Sequence, residues 1–262
     1  MCLDIGLHVR LTFFARNRDS KLANFLRSFR HTISKPKAIV IFSAHWESGD
    51  DHVLVNVAPN PSLYFDYYGF PKETYELKYP APGSPDVGGR ILSLLGDSKI
   101  KARKETKRGW DHGVFVPLTQ LYPDADVPIV QVSVYSSLDP LEHIKLGRAL
   151  APLRDEGVLL LGSGALTHNL PALMRASPTD GARSKEFMQW LLSNTLGSVG
   201  SDRSKALAGW KTAPHARFAH PREEHLIPLF VVLGAAEEDS AKVLFDQFAN
   251  GGIFALHCLR FG

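Results

Sequence analysis

The sequence predicts an α/β fold, a single domain with a central, largely parallel or mixed sheet flanked by helices. Three observations predict it. Short apolar runs alternate along the chain with segments of helical period. The runs at 37–43, 128–134 and 157–162 are almost continuously apolar, which suits strands covered on both faces. The chain of 262 residues, 44% hydrophobic and 22% charged, carries enough apolar material for one large core and shows no repeat, low-complexity stretch or linker. A single domain over 1–262 is expected.

Each element has its own signal. Leu22, Phe25, Leu26, Phe29 and Ile33 recur at helical spacing behind Asp19 and Ser20, either of which can cap. Lys37–Ser43 then reads as a buried strand and Val53–Val57 as a shorter one. Ser84-Pro85 opens a helix with Val87, Ile91, Leu94 and Leu95 on one face and proline in the first turn. Lys101–Arg108 reads as a solvated turn. Pro128–Val134 is the third strand, and Asp139-Pro140 opens a helix through Leu153. Gly157–Gly162 is the fourth strand. Helices are expected near 182–196 and 223–234, a surface loop at the Gly/Ser-rich 197–204, and a last strand over Gly252–Leu259.

Composition excludes several classes. Cys2 and Cys258 are too few for a disulfide scaffold or a cysteine-built zinc site, and fit a reducing, cytoplasmic setting. The longest apolar runs stop far short of a membrane span, and no secretory signal is expected from the opening residues. A net charge of +3 gives no case for nucleic acid. Oligomeric state has no signature.

Eleven histidines are many for this length, and their placement carries the functional reading. Ligands of open α/β sheets bind beyond the carboxyl ends of the strands. His45 follows one strand and His168 follows another. His112 lies at a helix entry, where Asp111 can cap and Gly113 lets a ligand approach the backbone. His220 and His225 precede an apolar helix. Five residues apart and separated by Pro221, they need not share a face, so at most one is expected to ligate a metal. His31, His52, His143, His215 and His257 have no comparable context and read as surface or structural.

Six motifs then stand in a recognisable order: Ser43-Ala44-His45-Trp46-Glu47, Tyr67-Tyr68-Gly69-Phe70-Pro71, Tyr79 to Pro85, Asp111-His112-Gly113 with Pro117-Leu118, Gly162-Ser163-Gly164 with Thr167-His168-Asn169, and His220-Pro221 with Glu224-His225. Together they resemble the DOPA dioxygenase family, the class III (LigB-type) extradiol ring-cleavage dioxygenases, over roughly residues 19–262. The resemblance implies the family's α/β fold around a central sheet and a mononuclear non-haem metal, iron(II) in catalysis, with zinc(II) as the other candidate. It implies His45 as the second histidine ligand and His225 as the third. His168 matches the histidine beside the metal, either an acid/base group or an additional ligand, and His112 matches a histidine facing the substrate.

The family normally opens with Ser-His-Gly-Ser/Thr-Pro, whose histidine is the first ligand. Here Ile5-Gly6-Leu7-His8-Val9-Arg10 stands instead, so His8 occupies that place without the following glycine and proline, and residues 1–18 are atypical. The implied partners are a small catechol and O2. Three protein ligands on one face of iron(II) leave neighbouring positions open for both. The implied product is a ring-opened semialdehyde, with Trp46, Tyr67 and Phe70 as aromatic surroundings suited to a flat ring. Two other functions use the same histidines. A zinc-dependent hydrolase would activate water instead of O2. A binding or regulatory paralogue would follow if the first ligand were missing.

Overall fold

The computed structural model describes residues 2–6 and 20–262. Its centre is the apolar run identified above, extended to Ala38–Glu47 (β2). Ile129–Val134 (β5) and Val158–Gly164 (β6) flank β2 in parallel, and every residue of both is buried. Cys2–Gly6 (β1) continues the parallel set beside β6, with Gly6 opposite Gly164. Val53–Asn56 (β3), Ala102–Glu105 (β4), Ala241–Ala249 (β7) and Phe254–Phe261 (β8) complete the order β4-β3-β5-β2-β6-β1-β8-β7. The β3–β5, β1–β8 and β7–β8 pairs are antiparallel, so the sheet is mixed.

Side-chain alternation along the central strands sorts the core into two layers. Val40, Phe42, Val130, Val132 and Leu160 face one side and pack with Pro140–Leu150 (α4) and Ile227–Ala235 (α9). Ile39, Ile41, Ile129, Leu159 and Leu161 face the other, against Lys21–Phe29 (α1) and His112–Leu121 (α3). Pro85–Asp97 (α2) starts with proline in its first turn, as its sequence suggests. Asp180–Leu196 (α6) and the short Leu170–Met174 (α5) and Ala216–Ala219 (α8) lie in the second half.

Three expectations are corrected, and one strand is added. Residues 102–105 are not a solvated turn but an edge strand, charged and half-exposed as edges tend to be. β7, the opposite edge, was absent from the sequence reading because its residues are half-buried on both faces and show no clean alternation. The 197–204 segment is not simply a loop, since Gly200–Ala208 (α7) is helical. Its buried Arg203 donates to the carbonyls of Ala236, Glu237 and Asp239, satisfying the end of α9. Finally, α9 begins at Ile227 rather than 223, which leaves Glu224 and His225 in a turn ahead of the helix.

Candidate metal centre

His45 lies near the end of β2, where pairing with β5 shifts register between Phe42 and Glu47. Its backbone is held from two sides. The Ser43 hydroxyl accepts from His45 N at 3.2 Å and donates to Asp111 Oδ1 at 2.7 Å. Asp111 is fully buried, and its other oxygen accepts from Gln131 and from Arg108, the latter at 3.2 Å. Arg108 also donates to the His45 carbonyl at 3.0 Å and lies 5.0 Å from the rings of Trp46 and Tyr64. Asp111 therefore does not cap α3 with its side chain, contrary to expectation, because its carboxylate is committed to this network. Gly113 serves the same packing: a Cβ there would lie 2.3 Å from Ser43 Oγ. Trp46 is buried, with the Arg108 guanidinium over its ring.

His112 is the first residue of α3. Asp66 Oδ1 accepts both its backbone N–H, at 3.0 Å, and its ring Nδ1, at 2.8 Å. The second carboxylate oxygen of Asp66 lies 3.5 Å from His45 Nδ1, and the His45 and His112 ring centroids are 3.9 Å apart. Burial opposes ionisation of Asp66, but hydrogen bonds and charge from His112 outweigh it and hold the carboxyl below its usual range. Tyr67 meets the His112 ring edge-on at 5.8 Å, and Phe70 packs against Tyr67 at 5.4 Å. The Tyr67 hydroxyl donates to the Thr74 carbonyl at 2.7 Å, and burial pushes it up to about 12.

His168 follows β6, pinned by its neighbours. Thr167 donates to the Ile253 carbonyl and accepts from Ala255 N, while Asn169 donates to the Phe218 carbonyl and accepts from Ala172 N. His168 N itself donates to the Ala219 carbonyl at 2.8 Å. Burial, with smaller contributions from His220 and His112, pushes the His168 imidazole down to about 3, so the ring is neutral near pH 7.

His225 is set by β6 as well. Its carbonyl accepts from Ala165 N at 2.8 Å, an approach open only because residue 164 is glycine, where a Cβ would lie 2.2 Å from that oxygen. The His225 ring stacks on His168 at 3.7 Å and stands 5.0 Å from His45. Glu224 lies 3.8 Å from His168 Nδ1, and burial raises its carboxyl. Arg222 makes two 2.7 Å bonds to Glu47 and lies 3.4 Å from Glu224, tying this turn to β2.

Donor atoms of His45, Asp66 and His112 fall within 4.8 Å of one another, and so do those of His168, Glu224 and His225. The structure thus brings together four of the histidines singled out from sequence. His220 is not among the donors: it is buried under Trp210 and Phe187, and its Nε2 lies 2.9 Å from the Leu166 carbonyl. His8 lies outside the described residues. Asp66, Arg108 and Glu224 were given no role from sequence. Asp66 immediately precedes the Tyr67–Pro71 motif, and Glu224 sits inside the last motif, so their positions were flagged but not their chemistry.

Imidazoles and carboxylates gathered beyond the carboxyl ends of parallel strands give this α/β domain a histidine-rich site of the kind that can hold a metal ion. Residues 15–261 match the family described as the catalytic LigB subunit of aromatic ring-opening dioxygenase, and the chain belongs to that family. It is 42% identical over 248 residues to a 4,5-DOPA dioxygenase extradiol of Beta vulgaris, covering 93% of this chain and 90% of that one. An Escherichia coli K12 protein of the same name is 38% identical, covering 78% of this chain and 74% of its own. The crystal structure of an uncharacterised E. coli K12 protein superposes with a TM-score of 0.78 at 28% identity, over 100% of this chain and 99% of that one. The chain is an oxidoreductase of the extradiol ring-opening kind. Among the described residues no helix is long and apolar enough to cross a membrane.

Proposed function

We propose that this chain opens a DOPA-like catechol ring with O2 at a mononuclear non-haem metal and releases a ring-opened semialdehyde, acting in the cytoplasm. The observation that carries the reading is the convergence of His45, His112, His168 and His225 at one end of the sheet, within a ring-opening family. His45 and His225 would hold the metal, with His8 as the remaining candidate ligand. The donor set is imidazole and carboxylate without thiolate, which suits iron(II) and zinc(II) alike. When bound, iron(II) supplies a redox-active centre at which a catechol and O2 meet.

The chain's own residues prepare the substrate. His168 presents a neutral imidazole beside His225, able to take a catechol proton at a ring nitrogen and return it later. His112 faces a substrate oxygen. Tyr67 and Phe70 place flat, largely apolar surface beside it. Family membership favours this reading over the zinc hydrolase, because the matched span contains the site itself.

The test is reconstitution of the metal-free protein with iron(II) or zinc(II), followed in an oxygen electrode with L-DOPA. Oxygen uptake and semialdehyde absorbance are expected with iron alone. No uptake with iron, or hydrolytic turnover with zinc, would overturn the proposal.

A further inference from the structure

Asp66 makes more contacts with the site than helix capping requires. A carboxylate that satisfies the first N–H of α3 needs only the 3.0 Å contact to His112 N. Asp66 adds a 2.8 Å contact from the same oxygen to the His112 ring, and its other oxygen reaches to 3.5 Å from the His45 ring. Both contacted ring atoms are Nδ1.

The segment that carries Asp66 is firmly placed. Tyr64 N donates to the Trp110 carbonyl at 2.7 Å, and Trp110 N donates to the Ser62 carbonyl at 2.8 Å. Residues 62–64 are therefore clipped to the backbone immediately before His112, and Asp66 inherits that registry. Its side chain is only 10% exposed, so water competes little for the carboxylate.

An ionised carboxylate can only accept hydrogen bonds, so a ring nitrogen at 2.8 Å from it must carry the proton. We propose that Asp66 is a positioning residue that holds His112 as the Nδ1–H tautomer, leaving Nε2 as the ring's acceptor atom toward a catechol hydroxyl. The other oxygen of the same carboxylate lies 3.5 Å from His45 Nδ1, so Asp66 neighbours both rings. The inference rests on the reading of His112 as the substrate-facing histidine. Carboxylates that fix ring orientation in this way commonly change metal affinity or activity by about 10–100-fold when removed.

The test is 15N NMR of histidine-labelled full-length protein, with and without zinc(II), in wild type, Asp66→Asn and Asp66→Ala. The His112 signals are assigned by their loss in His112→Gln. The wild-type ring is expected to show the Nδ1–H pattern. Asp66→Asn, whose amide oxygen still accepts, is expected to keep that pattern, and Asp66→Ala to shift toward Nε2–H. In iron-loaded protein, Asp66→Ala is expected to lower kcat for a catechol by about 10–100-fold with a smaller change in KM, and Asp66→Asn to recover most of it. An Nε2–H pattern in wild type overturns the assignment even if Asp66→Ala does not fold. An unchanged pattern in a folded Asp66→Ala overturns it as well. If the tautomer pattern is as expected but no catechol turns over, the assignment of Asp66 stands and the dioxygenase reading fails.

Discussion

Replacing Gly164 with alanine tests whether β6 sets the position of His225. The added Cβ would lie 2.2 Å from the His225 carbonyl oxygen and 3.2 Å from both the His225 carbonyl carbon and Pro228. To restore ordinary contact the carbonyl must retreat by roughly 1 Å, which breaks its 2.8 Å bond from Ala165 N. Overpacking costs about 1–3 kcal/mol and an orphaned buried N–H about another 1–3. A destabilisation of about 2–6 kcal/mol is expected, with His225 displaced along with its backbone. Urea unfolding measures the first effect, and iron stoichiometry after anaerobic reconstitution measures the second. Gly89→Ala is the matched control, because Gly89 lies on the exposed side of α2 with nothing within 4 Å of a Cβ. It is expected to leave metal binding unchanged and to raise stability by up to about 1 kcal/mol. A Gly164→Ala protein with wild-type unfolding midpoint and full iron content would refute the reasoning.

Three further outcomes are expected. His168→Gln should keep the metal while ring opening falls by about two to four orders of magnitude; lost metal would reassign His168 as a ligand, and unchanged turnover would remove its acid/base role. His143 is buried, with Nε2 accepting from Tyr135 N, and burial pushes it down to about 4. Since the folded value lies below the unfolded one, its contribution is complete above about pH 6.5 and is lost as pH falls toward 4. Wild type should therefore lose about 3 kcal/mol more than His143→Gln over that interval in urea titrations, and parallel curves would contradict it. Grafting Ser-His-Gly-Thr-Pro around His8 should raise iron affinity and turnover together, whereas no effect from either the graft or His8→Ala would show that the site does not use this segment and would remove the three-ligand basis of the dioxygenase reading.

The central strands were legible because residues buried on both faces leave unbroken apolar runs, as in 129–134 and 158–161. β4 and β7 were not, because edge strands mix exposed and covered positions and so imitate turns and loops. α7 was hidden for another reason. Its anchor is Arg203, a charged residue made useful by carbonyls more than thirty positions away. The same distinction runs through the site. His45 and His168 could be placed because each was expected at the end of a strand, whereas the spacing around Pro221 implied only that at most one of His220 and His225 would ligate, and the family resemblance singled out His225. Asp66 could not, since its partner His112 is 46 residues away and meets it only through the clip at Ser62, Tyr64 and Trp110. Arg108 was assigned to solvent with its basic neighbours, yet it is mostly covered and braces the His45 backbone.

The most direct measurement of the central claim is the fate of the oxygen atoms. Iron-loaded protein is given L-DOPA under 18O2, and the aldehyde is reduced as it forms to limit exchange with water before mass analysis. The account predicts a ring-opened product carrying label at both new oxygens, formed by wild type and absent with His225→Ala. Product labelled only from water, or equal labelled product from His225→Ala, would contradict it.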